Sequence, residues 1–356
     1  MFKVFLTIMM LIFICACSSP QVVRKRIFWP IPPNEPRIEW IGLYSTKADL
    51  QSGESSLFNM VVGDDDNFSL NGPLSIASDG MGKVYVTDGE TASAYSFDFN
   101  KKDVYTLGGN SWLGTIKHVT GVSVDSKGNA YVADSSYRKI YVADKDNNPL
   151  KVLDLSAHLK SIGMFAIDKR ANRLIIPDLR EHKIVVTDLE GKFLFSFGHK
   201  GDEKGEFNLP VSVAVEADGT IVVCDSFNAR IQRFTPQGVF INLFGKRGDG
   251  AGEFAIIKGV AVDSEGHIYV TDGKENRVSV FSTTGENLLV FGGKYAQMSY
   301  EVVAAGGFFV PQGIYIDQND RIYIVDQRNR RFQVFQYLNT DYLSKFPVKP
   351  AVPNAK

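Results

Sequence analysis

An aspartate followed five residues later by a basic residue is a recurring charged pattern in this sequence. The copies are Asp134 with Lys139, Asp178 with Lys183, Asp225 with Arg230, Asp272 with Arg277, and Asp326 with Arg331. A carboxylate beside a guanidinium suits acid–base chemistry, but it also forms a strong bidentate ion pair, which lysine cannot form. Because the pattern occurs once per repeat, we interpret these residues as structural, each Asp ending a strand and facing the base across a turn. Ser93 stands at this spacing after Asp88, so the first copy needs another solution.

Residues suited to metal binding or nucleophilic chemistry are few. The five histidines show no zinc-ligand spacing, and the sequence has no Cys–His cluster. Three consecutive acids, Asp64 to Asp66, cannot all point at one ion, so we interpret them as a solvated loop. Cys224 lies among apolar residues and is interpreted as a small buried hydrophobe. We therefore predict no catalytic residue, no metal ligand and no cofactor.

The elements that position these residues are short strands in a long repeat. Six apolar segments end in Asp, and successive aspartates lie 44 to 54 residues apart. Around each segment, two-residue alternation and turns rich in Asp and Gly predict three further strands. The period fits four-stranded units, so the fold class is an all-β, six-bladed β-propeller of antiparallel blades. The sixth unit lacks a fourth strand, and residues 37–44 are predicted to supply it and close the ring.

The units resemble NHL repeats over residues 72–338. The most specific copy is Asp225 to Phe234, followed by Phe244-Gly245 and by Gly252-Glu253-Phe254. The resemblance implies a six-bladed propeller. Related propellers include amidating lyases and lactone hydrolases that hold a metal at the channel mouth with His, Glu or Asp, and this sequence lacks the matching histidines. RNA binding, known in cytoplasmic members, is disfavoured because 39 basic residues nearly balance 40 acidic ones.

The N-terminus has the composition of an export signal. Residues 1–16 read as a signal peptide, with Lys3 before a short apolar run. Ile14 to Cys17 resembles a bacterial lipobox, in which Cys17 takes the lipid. Residues 17–36 are a Pro-rich tether, residues 37–340 the propeller and residues 341–356 a tail. The expected location is the cell envelope, and Ser18 resembles the signal for the outer membrane in a Gram-negative host.

Candidate binding residues lie where propellers present loops. Positions expected at the channel entry are Pro73, His118, Thr120, Ile162, Pro210, Lys258 and Gln312. Inter-blade loops carry Lys200, Lys246 and Arg247, and the longest one carries Tyr295, Tyr300, Phe308 and Phe309. That longest loop either docks a partner or folds back to plug the channel.

These observations favour a monomeric, non-enzymatic module that is attached to the membrane by its lipid and holds an envelope or secreted protein, with no nucleic acid partner. The alternative is a metal-dependent lyase or lactone hydrolase with its site at the channel mouth. A third possibility is a sensor that binds a small ligand in the channel.

Overall fold

The structure is a computed structural model that describes residues 26–31, 33–51, 68–295 and 305–348. Within them the chain forms six antiparallel sheets. The predicted signal peptide, the lipid-attachment residue Cys17, Asp64 to Asp66 and Tyr300 lie outside the described residues. In the described part, no helix has the length and apolar content needed to cross a membrane.

Each of the first five sheets is a blade of four consecutive strands. Blade one is β3 (Pro73–Ser78), β4 (Lys83–Asp88), β5 (Ser93–Asp98) and β6 (Asp103–Thr106); blade two is β7 (Val119–Val124), β8 (Ala130–Asp134), β9 (Lys139–Ala143) and β10 (Pro149–Asp154). Blade three is β11 (Ala166–Asp168), β12 (Arg173–Asp178), β13 (Lys183–Asp188) and β14 (Phe193–Phe197). Blade four is β15 (Pro210–Val215), β16 (Ile221–Asp225), β17 (Arg230–Phe234) and β18 (Phe240–Phe244); blade five is β19 (Ile257–Val262), β20 (Ile268–Asp272), β21 (Arg277–Phe281) and β22 (Asn287–Gly292).

The sixth sheet joins the two ends of the chain. It is β23 (Pro311–Ile316), β24 (Arg321–Asp326) and β25 (Arg331–Tyr337), followed in space by β2 (Ile38–Tyr44) and β1 (Ile27–Trp29). The helical elements are α1 (Ala48–Gln51), α2 (Thr340–Lys345) and single 3₁₀ turns at Gly109–Ser111, Ser226–Asn228 and Gln327–Asn329. Because β2 pairs with β25, the predicted closure by the N-terminal strand is confirmed.

The innermost strands of neighbouring blades contact one another around a ring, and β23 of blade six contacts β3 of blade one. The six-bladed β-propeller is therefore confirmed. The second strand of each blade is buried over nearly all of its length, as in β16, because both of its faces pack against neighbouring blades. Two glycines allow the inner strands to approach closely. A Cβ at Gly259 would lie 2.7 Å from the Gln312 oxygen, and one at Gly313 would lie 2.8 Å from the Leu74 oxygen.

The predicted tether is not all an extended stalk. Ile27–Trp29 pairs with β2 as a fifth strand, and the half-buried Trp29 ring packs against Phe291 and Phe335 at centroid distances of 6.1 and 5.8 Å. Arg26 makes a two-pronged ion pair with Glu39, with both N···O distances at 2.6 Å. The predicted tail begins with α2, whose Tyr342 hydroxyl also donates to Glu39.

One of the two alternatives for the longest loop, partner docking, does not hold at Phe308. Phe308, proposed as a partner-facing aromatic, is fully buried and packs against Phe335. It repeats a motif that the sequence displays: Phe207, Phe254 and Phe308 each stand two residues after a glycine with positive φ, and all three are fully buried. These rings fill the space between blades, which ties the loop to the core.

Candidate functional site

The disc has two chemically distinct faces. We call the loop face the side that carries the turns after the second strand of each blade and the described parts of the inter-blade loops (198–209, 245–256, 292–295 and 305–310). We call the cavity face the opposite side, formed by the turns between first and second strands. The predicted binding residues that the structure describes belong to the loop face.

The aspartate that ends each second strand organises the loop face. In blade one, Asp88 accepts hydrogen bonds from the backbone N–H groups of Asn71 and Gly72, at 2.7 and 3.0 Å, and from those of Glu90 and Thr91. Asp272 in blade five accepts four equivalent bonds. Both aspartates are buried, and backbone N–H groups rather than a basic side chain are their general partner. This is the solution that blade one uses without a basic residue.

Among the described residues, the basic residue pairs with the aspartate in two blades. Arg230 Nε lies 2.8 Å from Asp225, and Arg331 Nε lies 2.8 Å from Asp326, as predicted. The pairing expected in blade five is wrong: the Arg277 side chain instead donates to the carbonyls of Gly250 and Glu253, at 2.8 and 3.1 Å.

The two lysine versions of the pattern are also wrong. Lys139 lies 3.8 Å from Asp154 rather than against Asp134. Lys183 forms no ion pair within the described residues, so it does not neutralise Asp178.

A glutamine accompanies the ion pair in both of these blades. Gln232 donates to the Glu206 carbonyl at 2.7 Å and to Asp225, and Gln333 makes the matching bonds to the Gly307 carbonyl and to Asp326. Blade five has Ser279 at this position, and its hydroxyl, like Arg277 Nε, is buried without a hydrogen-bond partner. The loops before blades four and six are therefore held by Asp, Arg and Gln together.

The predicted charged residues of the inter-blade loops have mixed roles. Lys200 is exposed, and its backbone forms a β-bridge with Phe207. The Lys246 side chain is 77% exposed, with its ammonium 3.0 Å from Glu253. Arg247 is partly structural, because it donates to the Phe227 carbonyl at 2.8 Å and to the Ala255 carbonyl at 3.3 Å.

Arg247 thereby brings together two apolar residues that sequence reasoning missed. Phe227 and Ile256 are 55% and 37% exposed on adjacent segments, since Ser226 Oγ donates to the Ile257 carbonyl at 2.8 Å. A signal for Phe227 is present in the repeat, because the corresponding positions are polar or charged in the other blades. They are Glu90, Ser136, Arg180, Lys274 and Arg328.

The predicted channel-entry residues do not form one cluster. His118 is exposed and its side chain makes no hydrogen bond to any described residue, while Lys258 lies against Gly273. Gln312 is buried and donates to Gln327 at 2.9 Å. Pro73, Ile162 and Pro210 are buried, and Thr120 is half-buried. Cys224 is buried, as predicted, and burial raises the pKa of its thiol.

A cavity of about 400 Å³ lies at the other end of the channel, on the cavity face. Its lining comes from the inner strands of all six blades and from the turns that follow strands of blades three to six. Its polar residues include Lys169, Arg170, Glu216, Asp263, Tyr315 and Asp317. None of the predicted site residues that the structure describes lines it. Across the described part of the chain, no group of three or more His, Cys, Asp or Glu side chains could hold a metal ion.

Comparison with known proteins agrees with the architecture. A family model described as a 6-bladed β-propeller matches residues 204–291, which hold blades four and five. A Bacteroides thetaiotaomicron protein of unknown function is 17% identical, with a TM-score of 0.60 over 77% of this chain and 71% of its own. A streptogramin B lyase is 14% identical, with a TM-score of 0.55 over 76% of this chain and 95% of its own. A gluconolactonase from Xanthomonas campestris is 16% identical, with a TM-score of 0.55 over 76% and 87%. At these identities the similarity shows the fold alone.

Proposed function

We propose that this protein is a lipid-anchored propeller of NHL-type repeats that holds an envelope or secreted protein on its loop face. The observation that carries the proposal is the exposed pair Phe227 and Ile256, presented beside Lys246 and Arg247. Exposed aromatic residues flanked by arginine are typical anchors of protein interfaces.

The backbone under this pair is held in place before a partner arrives. Ser226 bonds across to Ile257, Arg247 bonds to the Phe227 carbonyl, and Asp272 fixes the N–H groups of Ala255 and Ile256. A preorganised surface loses little conformational freedom on binding, which favours affinity. The loop face therefore suits docking better than a mobile loop would.

The anchor in this proposal is Cys17. The chain becomes part of blade six at Arg26 and Ile27, through the Glu39 ion pair and β1. The nine residues from Cys17 to Arg26 span at most about 30 Å when extended. A lipid on Cys17 would thus hold the disc close to the membrane surface, where an envelope partner is accessible.

Quantitative cross-linking in intact cells tests the docking face. Phe227→Ala and Lys246→Glu should each reduce the yield of the partner cross-linked to the wild type by about tenfold, which corresponds to the loss of one interface anchor. Val239→Ala is the matched control, because Val239 belongs to the same blade, is 62% exposed and lies toward the cavity face. Equal yields from wild type and both loop-face variants would overturn the docking proposal.

Fractionation tests the anchor separately. Wild-type protein should sediment with membranes and carry acyl chains by mass spectrometry, whereas Cys17→Ser should be unacylated and recovered in the soluble fraction. Retention of Cys17→Ser on membranes, or an intact N-terminal Met1 in the wild type, would contradict the lipoprotein assignment.

A further inference from the structure

The cavity on the cavity face is crossed by one side chain. Lys169 lies in the turn after β11 of blade three, and Tyr315 lies in β23 of blade six, directly across the ring. Lys169 Nζ is 3.4 Å from the Tyr315 hydroxyl. The ammonium therefore spans the mouth of the channel and meets the opposite wall.

The acidic groups of the cavity are already engaged by the protein. Asp168 is paired with Arg173 at 2.9 Å, and Glu216 accepts both prongs of Arg233 at 2.6 and 2.8 Å. Asp317 accepts from two backbone N–H groups and from the Tyr323 hydroxyl. These carboxylates have little capacity left for a cationic ligand.

Asp263 completes the set. One of its oxygens accepts from the N–H groups of Glu265 and His267, and the other accepts from the Tyr269 hydroxyl and contacts the His267 ring. All four carboxylates that line the cavity are thus bound within their own blade.

The cationic groups are not engaged in this way. Lys169 has the weak contact with Tyr315 and no ion pair to a described residue. The Arg170 guanidinium makes no hydrogen bond or ion pair within the described chain; it lies beside Gly219 in the blade-four turn and interacts electrostatically with Asp218 there. Both side chains are exposed at the cavity. Positively charged donors that form no ion pair, beside acids whose hydrogen bonds are satisfied, favour a negatively charged ligand.

The walls are apolar between these polar groups. Ile76, Val122, Val213, Val260 and Ile314 line the cavity from five of the blades. A volume of about 400 Å³ with apolar walls and a few convergent polar groups is typical of a site for a small organic molecule. The ligand must therefore combine a compact apolar body with an anionic head.

We infer that this cavity binds a small organic carboxylate. The carboxylate pairs with Lys169 and Arg170 at the mouth and accepts a hydrogen bond from the Tyr315 hydroxyl, while its apolar body packs on the inner strands. Burial raises the pKa of Tyr315, so its phenol stays protonated and able to donate at neutral pH. This site is on the opposite face from the proposed docking surface and does not depend on it.

Titration of the full-length protein with three matched probes tests the inference. The probes are naphthalene-2-carboxylate, naphthalene-2-carboxamide and 2-naphthylmethylamine, which share an apolar body and differ in the charge of the head. Measured by isothermal titration calorimetry, the carboxylate should bind at least about tenfold more tightly than the amide, because it gains charge-assisted hydrogen bonds. The amine should bind more weakly than the amide.

Variants locate the site. Lys169→Met should weaken carboxylate binding by about tenfold and leave amide binding unchanged, and Tyr315→Phe should weaken it by about threefold. Lys127→Met is the matched control, since Lys127 is an exposed lysine on the same face that does not line the cavity. Equal binding of carboxylate and amide, tighter binding of the amine, no binding of any probe, or equal losses in Lys169→Met and Lys127→Met would each overturn the inference.

Discussion

The loop face and the cavity face both depend on aspartates at the ends of strands, but the two sets bind different backbone groups. On the loop face, Asp88 accepts N–H groups from Asn71 and Gly72, which precede it by 17 and 16 residues. On the cavity face, Asp79 accepts only from Met81 and Lys83, within its own turn. One carboxylate joins separate segments, and the other shapes a single hairpin.

The difference shows in what each face tolerates. The cavity-face position is occupied by Glu216 in blade four, where it pairs with Arg233, and Asp218 takes over the capping of the turn. The loop-face position is Asp in all six blades. A local turn can be stabilised in several ways, whereas a long-range hydrogen bond requires the carboxylate to reach particular N–H groups on another segment. The face that we propose for docking is the one with the long-range ties.

Loss of the closing strand β2 should destabilise the whole ring, and with it both faces. Deletion of residues 38–44 takes the buried side chains of Ile38 and Leu43 from the core and leaves β25 paired on one edge only, with β24. We expect the melting temperature of the deleted protein to fall by more than about 10 °C in circular dichroism. Deletion of residues 340–348, which removes α2 but no blade strand, is the control and should lower it by far less. Equal effects of the two deletions would refute closure by β2 as the main support of the ring.

Two alanine substitutions in blade one compare directly how much an aspartate of each face contributes to the free energy of unfolding. Asp88→Ala should lower the free energy of unfolding by about 4 kcal/mol, because it strands several buried N–H groups on two segments. Asp79→Ala should cost about 1 kcal/mol, as expected for the loss of a local cap. Urea unfolding of both variants gives the two values. Similar losses would show that the reach of the aspartate does not matter and would remove the distinction between the faces.

Much of the fold follows from the sequence, because the evidence for it is repeated. Strands that end in Asp and turns that contain Gly recur along the chain, so the number of blades is predictable. The strand at residues 37–44 belongs to no complete repeat, so closure by it is predictable too. The roles of Asp225 and Asp326 are predictable too, because a basic residue at fixed spacing identifies their partner.

The site is less predictable, for physical reasons that particular residues show. Backbone N–H groups have no residue type, so the general partner of Asp88 and Asp272 leaves no mark in the sequence. The contact between Lys169 and Tyr315 joins opposite blades and depends on the radius of the ring. Phe308 could have been placed correctly, since its glycine spacing matches that of Phe207 and Phe254.

The arginines allow a finer test within the loop face. Arg230→Ala should cost about 3 kcal/mol, because it leaves Asp225 buried without its counterion and frees carbonyls of the preceding loop. Arg277→Ala should cost about 1 kcal/mol, because Arg277 bonds only to carbonyls. Chemical denaturation measures the free energy of unfolding of both variants. Equal costs for Arg230 and Arg277 would mean that the ion pair adds nothing to the tie.

The smallest expected effect is a pH dependence of the free energy of unfolding that comes from the cavity face. His267 on the cavity face contacts Asp263 at 2.9 Å, and this hydrogen bond is the main reason that its pKa is raised above 6.5, with burial opposing it. Glu265 adds to the increase, Arg37 opposes it, and the Tyr337 ring lies 5.5 Å away. Because the folded pKa is higher than the unfolded one, the stabilisation is complete below pH 6.5 and is lost as pH rises through the folded value.

The free energy of unfolding should therefore decline from pH 6.5 upward in the wild type, and His267→Gln should flatten that decline. His118→Gln, on the loop face, should retain it, since the exposed His118 side chain has no partner in the described chain. Urea unfolding at several pH values between 6 and 9 measures the slopes. A decline of equal slope in His267→Gln and in wild type would show that the Asp263 contact does not couple this turn to folding.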